Sequence, residues 1–121
     1  FNSGFETIVA GGSMRRFMFL NAAGASTFLT GVGNILPQIE IDFQTYINNN
    51  DLTSAKNLIN QYETPMFSTF MKLGWHRALR CALHLMGFDY NYARKPFSVD
   101  LNKEDVKQVQ VCIDNIKEYK K

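Results

Sequence analysis

Few side chains in this sequence combine the type and spacing that chemistry requires. Ser13 could serve as a nucleophile only with a base beside it, and none lies near it in the sequence, so we interpret it first as a helix cap. His76 and His84 lie on one predicted helix, about 12 Å apart by helical rise, too far to share a metal ion directly. The sequence therefore predicts no metal site.

Composition excludes several classes of protein. The chain has 121 residues, of which 45% are hydrophobic, enough for a folded core. Its net charge of +2, from 13 basic and 11 acidic groups, is too balanced for a nucleic-acid-binding surface. No apolar run approaches the roughly 18 residues of a membrane span, and no signal sequence is apparent. Cys81 and Cys112 fall on predicted helices, which favours core packing in a reducing, cytoplasmic setting.

The first 50 residues alternate strands and helices. Two short runs with β-branched and aromatic residues, "FETIVA" at 5–10 and "STFLT" at 26–30, predict strands. Ser13 caps a predicted helix from Met14 to about Ala23, and Pro37 suits the first turn of another that reaches the "NNN" at 48–50. The order strand, helix, strand, helix is typical of parallel βα units.

The remaining residues, 51–121, predict helices only. Asp51 caps the first of them, and Pro65 starts or bends the next. A third helix begins at Trp75 and ends at Gly87, and the segment "NYARKPF" after it predicts a loop. Asn102, with Asp105 three residues later, resembles a capping box that opens the last helix. We therefore divide the chain into two βα units at 1–50 and a helical region at 51–121.

Two parallel strands pose a physical problem. Parallel strands are normally buried on both faces inside a larger sheet. Two βα units alone cannot close a barrel or form a doubly wound sheet. The partner strands come either from another chain or from a part of the gene product outside this sequence. We favour the second, because the chain begins with Phe1 rather than methionine, as expected of a fragment or a cleaved product.

Several motifs together resemble one enzyme family. The run "GASTFLTGVGNILPQ", the step "NNDLTSAKNL", the helix "GWHRALRCALHLMGF" and the "RKPF" loop are similar to the C-terminal part of the dihydrodipicolinate synthase and N-acetylneuraminate lyase family. The resemblance covers nearly the whole of this chain, but this corresponds to only about the last two-fifths of a typical family member. It implies the last two βα units of a (β/α)8 TIM barrel, followed by a C-terminal helical extension.

The resemblance also implies where substrate would bind. In such barrels the site lies at the carboxyl ends of the strands, which places the glycine loops "AGGS" and "TGVGN" at its rim. By resemblance Gly11, Thr30 and Gly31 contact the 2-keto acid, which is pyruvate or a sugar-derived keto acid. The residues that position these loops are Gly12, Ser13, Gly33 and Asn34. In relatives an acidic residue often comes just after the glycine that follows the seventh strand. This sequence has Gly12, Ser13 and Met14 there, which argues against a polyhydroxylated acceptor.

The residue that carries out the family's chemistry is missing. Members form a Schiff base between pyruvate and a lysine on the sixth strand, with no metal or organic cofactor. The lysines of this chain lie outside both predicted strands, at Lys56, Lys72, Lys95, Lys103, Lys107, Lys117, Lys120 and Lys121. None is the desolvated strand-end lysine that this chemistry needs. The resemblance therefore implies the C-terminal fragment of a cytoplasmic lyase, inactive without the N-terminal part of its barrel.

Other interpretations of the sequence remain. The "GWHRAL" helix looks more like the sugar-acid dehydratase and aldolase branches than the lysine-biosynthetic synthases. From a different class, residues 51–121 could be a non-catalytic helical module that makes a homo-oligomer contact. A small stand-alone α/β protein, whose strands pair across a dimer, is the third alternative.

Overall fold

A computed structural model describes residues 4, 6–11, 13–89, 94 and 101–119. It has a mixed α/β composition, mostly helical with a small parallel sheet. The chain divides into two compact units, Phe1–Glu63 and Thr64–Lys121, which we call the sheet unit and the helical unit. This boundary lies 13 residues beyond position 50, where we divided the sequence, because two further helical segments belong to the sheet unit.

The sheet unit contains the predicted order of strand, helix, strand and helix. Its elements are β1 (Ile8–Val9), α1 (Met14–Asn21), β2 (Thr27–Phe28), a 3-10 turn (Val32–Asn34), α2 (Pro37–Asn48), α3 (Leu52–Leu58) and a π-helix (Ile59–Glu63). Both strands are shorter than predicted, because only two residues of each pair in register, Ile8 with Thr27 and Val9 with Phe28. Helix α1 also ends two residues before Ala23, and Gly24 follows it with φ of 99°.

The two strands are parallel, and helices cover one face of their sheet. Val9 pairs with Phe28, and both side chains turn toward the helices, where Val9 is buried. Side chains alternate between the faces, so Ile8 and Leu29 lie on the opposite face, and each is 55% exposed. Backbone hydrogen bonds extend the ladder beyond the strands, from Leu29 N–H to the Val9 carbonyl at 3.0 Å.

An aromatic cluster joins the sheet to its helices. The ring of Phe17 on α1 stacks on Phe28 of β2 with centroids 4.9 Å apart. Phe43 of α2 meets both rings edge-on, at 6.3 Å from Phe17 and 5.8 Å from Phe28. Phe17 and Phe43 are fully buried, so this cluster fixes α1 and α2 against the sheet.

In its described residues the helical unit contains three helices, each packed against the other two: α4 (Thr64–Leu73), α5 (Trp75–Leu85) and α6 (Lys103–Lys117). Gly74, with φ of 92°, separates α4 from α5, and the Trp75 ring packs on Phe67 and Phe70 at 4.7 and 5.7 Å. Asn102 caps α6 as predicted, accepting the N–H of Asp105 at 2.9 Å. The "NYARKPF" segment lies outside the described residues except at position 94.

Within the described ranges, every helix is too short or too polar to cross a membrane.

Candidate functional site

The loop that follows β2 is closed by a carboxylate from the next helix. Glu40, in the first turn of α2, accepts the backbone N–H groups of Gly31 and Gly33 through Oε1, at 2.9 and 2.8 Å. Its Oε2 accepts the hydroxyl of Thr30 at 2.6 Å. Asn34 adds a second tie, donating its side-chain amide to the Gly31 carbonyl at 3.1 Å and the Thr30 carbonyl at 3.3 Å. These contacts hold residues 30–34 in one conformation.

Gly33 lies against this carboxylate, and a side chain at position 33 would displace it. A Cβ at this position would stand 2.3 Å from the Thr30 hydroxyl oxygen and 2.7 Å from Glu40 Oε2. These two atoms are hydrogen-bonded to each other, so a Cβ would disturb the contact between Thr30 and Glu40. Close approach, rather than backbone freedom, is therefore what favours glycine here.

An open pocket of about 290 Å³ lies beside the Glu40 carboxylate. Phe28, Pro37 and Ile41 form its apolar wall. Thr30, Glu40 and Gln44 supply its polar side chains, and Gly33 completes the lining. The pocket therefore joins the end of β2 to the first two turns of α2, and Glu40 is its charged residue.

A second carboxylate closes the loop after β1. Glu63, at the end of the π-helix, accepts the N–H groups of Met14 and Arg15, the latter at 3.0 Å, and the Ser13 hydroxyl at 3.3 Å. It is 3% exposed. The Ser13 oxygen in turn accepts the N–H of Arg16 at 3.2 Å, so serine and glutamate together cap α1.

Burial of Glu63 changes its acidity. Loss of water around the carboxylate raises its pKa, and the hydrogen bonds from Arg15, Met14 and Ser13 offset part of this increase. The like charge of Glu40 raises the pKa slightly further. Glu40 and Glu63 thus each close a loop that follows one of the parallel strands, and each accepts hydrogen bonds from neutral donors.

The arrangement changes what the glycine loops can bind. Backbone N–H groups at a strand end or helix start are natural anion donors. Here Glu40 and Glu63 accept those of Gly31, Gly33, Met14 and Arg15. A substrate carboxylate would therefore have to displace an internal one to use these amides.

Two of the three predicted substrate contacts, Thr30 and Gly31, donate hydrogen bonds to Glu40. Thr30 also lines the pocket. Gly31 itself is buried. Gly11 is exposed after β1 with φ of 94°, and its Cα faces the end of the Arg16 side chain.

Among the loop-positioning residues, Ser13, Gly33 and Asn34 make the contacts described above, whereas Gly12 lies outside the described residues. Ser13 does have a carboxylate beside it, which its sequence neighbourhood did not reveal. Both groups are buried, so their contact positions α1 rather than forming a nucleophile.

Sequence reasoning missed both glutamates. For Glu40 a signal existed, since it is an acid in the first turn of a helix that directly follows a glycine loop. For Glu63 there was none, because it lies 50 residues from Ser13.

The described part of the chain contains no group of three or more His, Cys, Asp or Glu side chains able to hold a metal ion. No protein-family model matches the sequence, and no curated protein is significantly similar to it.

Proposed function

We propose that this chain supplies the last two βα units and the helical extension of a (β/α)8 barrel of the dihydrodipicolinate synthase and N-acetylneuraminate lyase family. The parent protein would be a cytoplasmic Schiff-base lyase acting on 2-keto acids. One observation carries the proposal: the parallel strands have helices on one face and exposed apolar side chains, Ile8 and Leu29, on the other.

That open face is what a barrel interior would cover. Parallel sheets occur almost only with both faces buried, and in a (β/α)8 barrel the inner face packs against side chains from the other strands. Covering the exposed halves of Ile8 and Leu29 would stabilise the fold by about 1 kcal/mol each. Six further strands, running parallel to these two, would supply that cover and pair with the free strand edges.

The proposed role of the chain is to shape the rim of the site. Its two glycine loops lie at the carboxyl ends of the strands, where barrel enzymes bind substrate. Gly11 and the Thr30 side chain are exposed there and would contact the keto acid. Gly31 is a weaker candidate, since its N–H is already bonded to Glu40.

The proposed chemistry needs a lysine from the rest of the barrel. The lysines that the structure describes all lie on helices, at Lys56, Lys72, Lys103, Lys107 and Lys117. The chain alone would therefore be inactive, and the parent enzyme would need neither a metal nor an organic cofactor, since the Schiff base itself accepts the electrons.

Trapping the Schiff base tests this proposal. The long product of the gene and the 121-residue chain are each incubated with pyruvate and borohydride, and their intact masses are measured. We expect a reduced pyruvyl adduct on the long product alone, located by peptide mapping to a lysine upstream of Phe1. The short chain is the matched control for nonspecific reductive alkylation of surface lysines. No adduct on the long product, or equal adducts on both, would refute the lyase.

The helical unit supports a second role, as a homo-oligomer contact. Met71 on α4 and Val111 on α6 are large apolar side chains that are 64% and 67% exposed. Replacing both by serine should lower the oligomeric state seen by sedimentation velocity, whereas the double change Lys72→Ser and Lys107→Ser should not. An unchanged assembly after the apolar replacements would contradict this role.

A further inference from the structure

We propose that the pocket beside Glu40 receives a lysine or arginine side chain from another polypeptide segment. The inference rests on the pocket itself and holds whether or not the parent protein is a lyase.

Glu40 brings a carboxylate with a free acceptor position to the pocket. Its carboxylate accepts two backbone N–H groups and one hydroxyl, all neutral donors. A carboxylate can accept about four hydrogen bonds, so one position remains, on Oε2.

The pocket also has a shape and composition that match such a side chain. Phe28, Pro37 and Ile41 offer an apolar wall next to the carboxylate, and Ile41 is 56% exposed. A lysine or arginine has the complementary form, an apolar stem that ends in a cation. The pocket volume of about 290 Å³ lies at the lower limit for ligand pockets, which suits a single side chain.

Other occupants fit less well. An apolar side chain would bury the Glu40 carboxylate without a partner, which costs free energy. An anion inside the pocket would be repelled by the Glu40 carboxylate, so a keto acid would contact Thr30 from outside this pocket. A metal ion would find one carboxylate whose oxygens already accept three hydrogen bonds, far short of the six or more oxygen ligands of a typical site.

An NMR titration tests the proposal. Acetyl-lysine-methylamide is added to the 121-residue chain, with acetyl-norleucine-methylamide as the uncharged analogue of similar shape. We expect saturable shifts of the Gly31 and Gly33 amide signals with the lysine probe, and at least fivefold weaker binding of norleucine. Glu40→Gln should abolish this preference, because the glutamine carbonyl still accepts both glycine amides but carries no charge.

A second pair of variants leaves Glu40 in place. Ile41→Ser should weaken the binding of both probes by removing the apolar wall. Leu52→Ser replaces a similarly exposed residue outside the pocket and should change neither. The proposal is wrong if the wild-type chain shows no saturable shift, if both probes bind equally, or if Ile41→Ser binds the lysine probe as tightly as wild type.

Discussion

Replacing Glu63 by alanine is the sharpest test of how the sheet unit is held together. The carboxylate reaches α1 from a segment 50 residues later in the chain and accepts two helix N–H groups and a serine hydroxyl. Glu63→Ala removes all three contacts and leaves space behind. We expect the free energy of unfolding to fall by about 2 kcal/mol at neutral pH.

The magnitude follows from the burial of each donor. Met14 is fully buried, so its N–H would lose its acceptor without gaining water, at a cost of about 1–3 kcal/mol. Removing an anion from a helix N-terminus costs about 0.3–1 kcal/mol more. Arg15 is exposed, so water can replace the carboxylate at its N–H at little cost. The net loss in free energy of unfolding is smaller than the sum of these costs, because burial already disfavours the charged carboxylate in the wild-type chain.

Replacing Glu63 by glutamine keeps a hydrogen-bond acceptor but removes the charge. Comparing the stability of the two chains over a range of pH should therefore separate the two contributions. Burial raises the pKa of Glu63 above its ordinary value of 4.5, so the folded state binds more protons than the unfolded state. Its contribution to stability is complete below pH 4.5 and is lost as pH rises through the raised pKa. The wild-type chain should therefore lose stability relative to Glu63→Gln as pH rises through that range.

Urea unfolding, followed by circular dichroism over a series of pH values, measures both effects. Glu6→Ala, which changes an exposed glutamate of the same unit, is the control and should shift stability by less than about 0.5 kcal/mol. If Glu63→Ala is no more destabilising than this control, the carboxylate does not fasten α1. If the difference between wild type and Glu63→Gln is flat with pH, the carboxylate is not desolvated in the folded chain.

Three further predictions concern other features. Gly33→Ala should lower the free energy of unfolding in urea by about 2 kcal/mol, because the added methyl group displaces Glu40 from the loop amides. A change of less than about 0.5 kcal/mol would show that Glu40 does not lie against this position. Asn102→Ala should cost about 1 kcal/mol by the same assay, as expected for the loss of an N-cap, whereas Asn102→Ser should restore most of it. Burial raises the pKa of the Cys81 thiol and Cys112 is nearly inaccessible, so both should react with Ellman's reagent far more slowly in the folded chain than in urea; an equal rate would refute this.

Local signals in the sequence predicted the elements of the fold well. Ser13, Asp51 and Asn102 each accept the N–H three residues on, as helix caps should. Pro37 occupies the first position of α2. These predictions succeeded because capping and proline geometry depend on a few consecutive residues.

The contacts that define the candidate site depend on distant residues. A serine cap predicts the start of α1 but not that a glutamate from a π-helix will share it. The glycines of residues 30–34 suggested an open loop for substrate, whereas the loop amides are bonded to Glu40. In both cases the buried polar groups had to be satisfied by some acceptor, and only the folded chain shows which one.

The π-helix at Ile59–Glu63 bears on how this chain tolerates changes in length. A π-helical turn holds one more residue than an α-helical turn, so it behaves as a single-residue insertion stored within a helix. Deleting one exposed residue there, Asn60 or Gln61, would restore α-helical spacing and turn Glu63 by about 100° away from α1. A one-residue gap at 59–63 in a related sequence would thus mark a protein that lacks this carboxylate cap, unless an acid stands one position earlier or later.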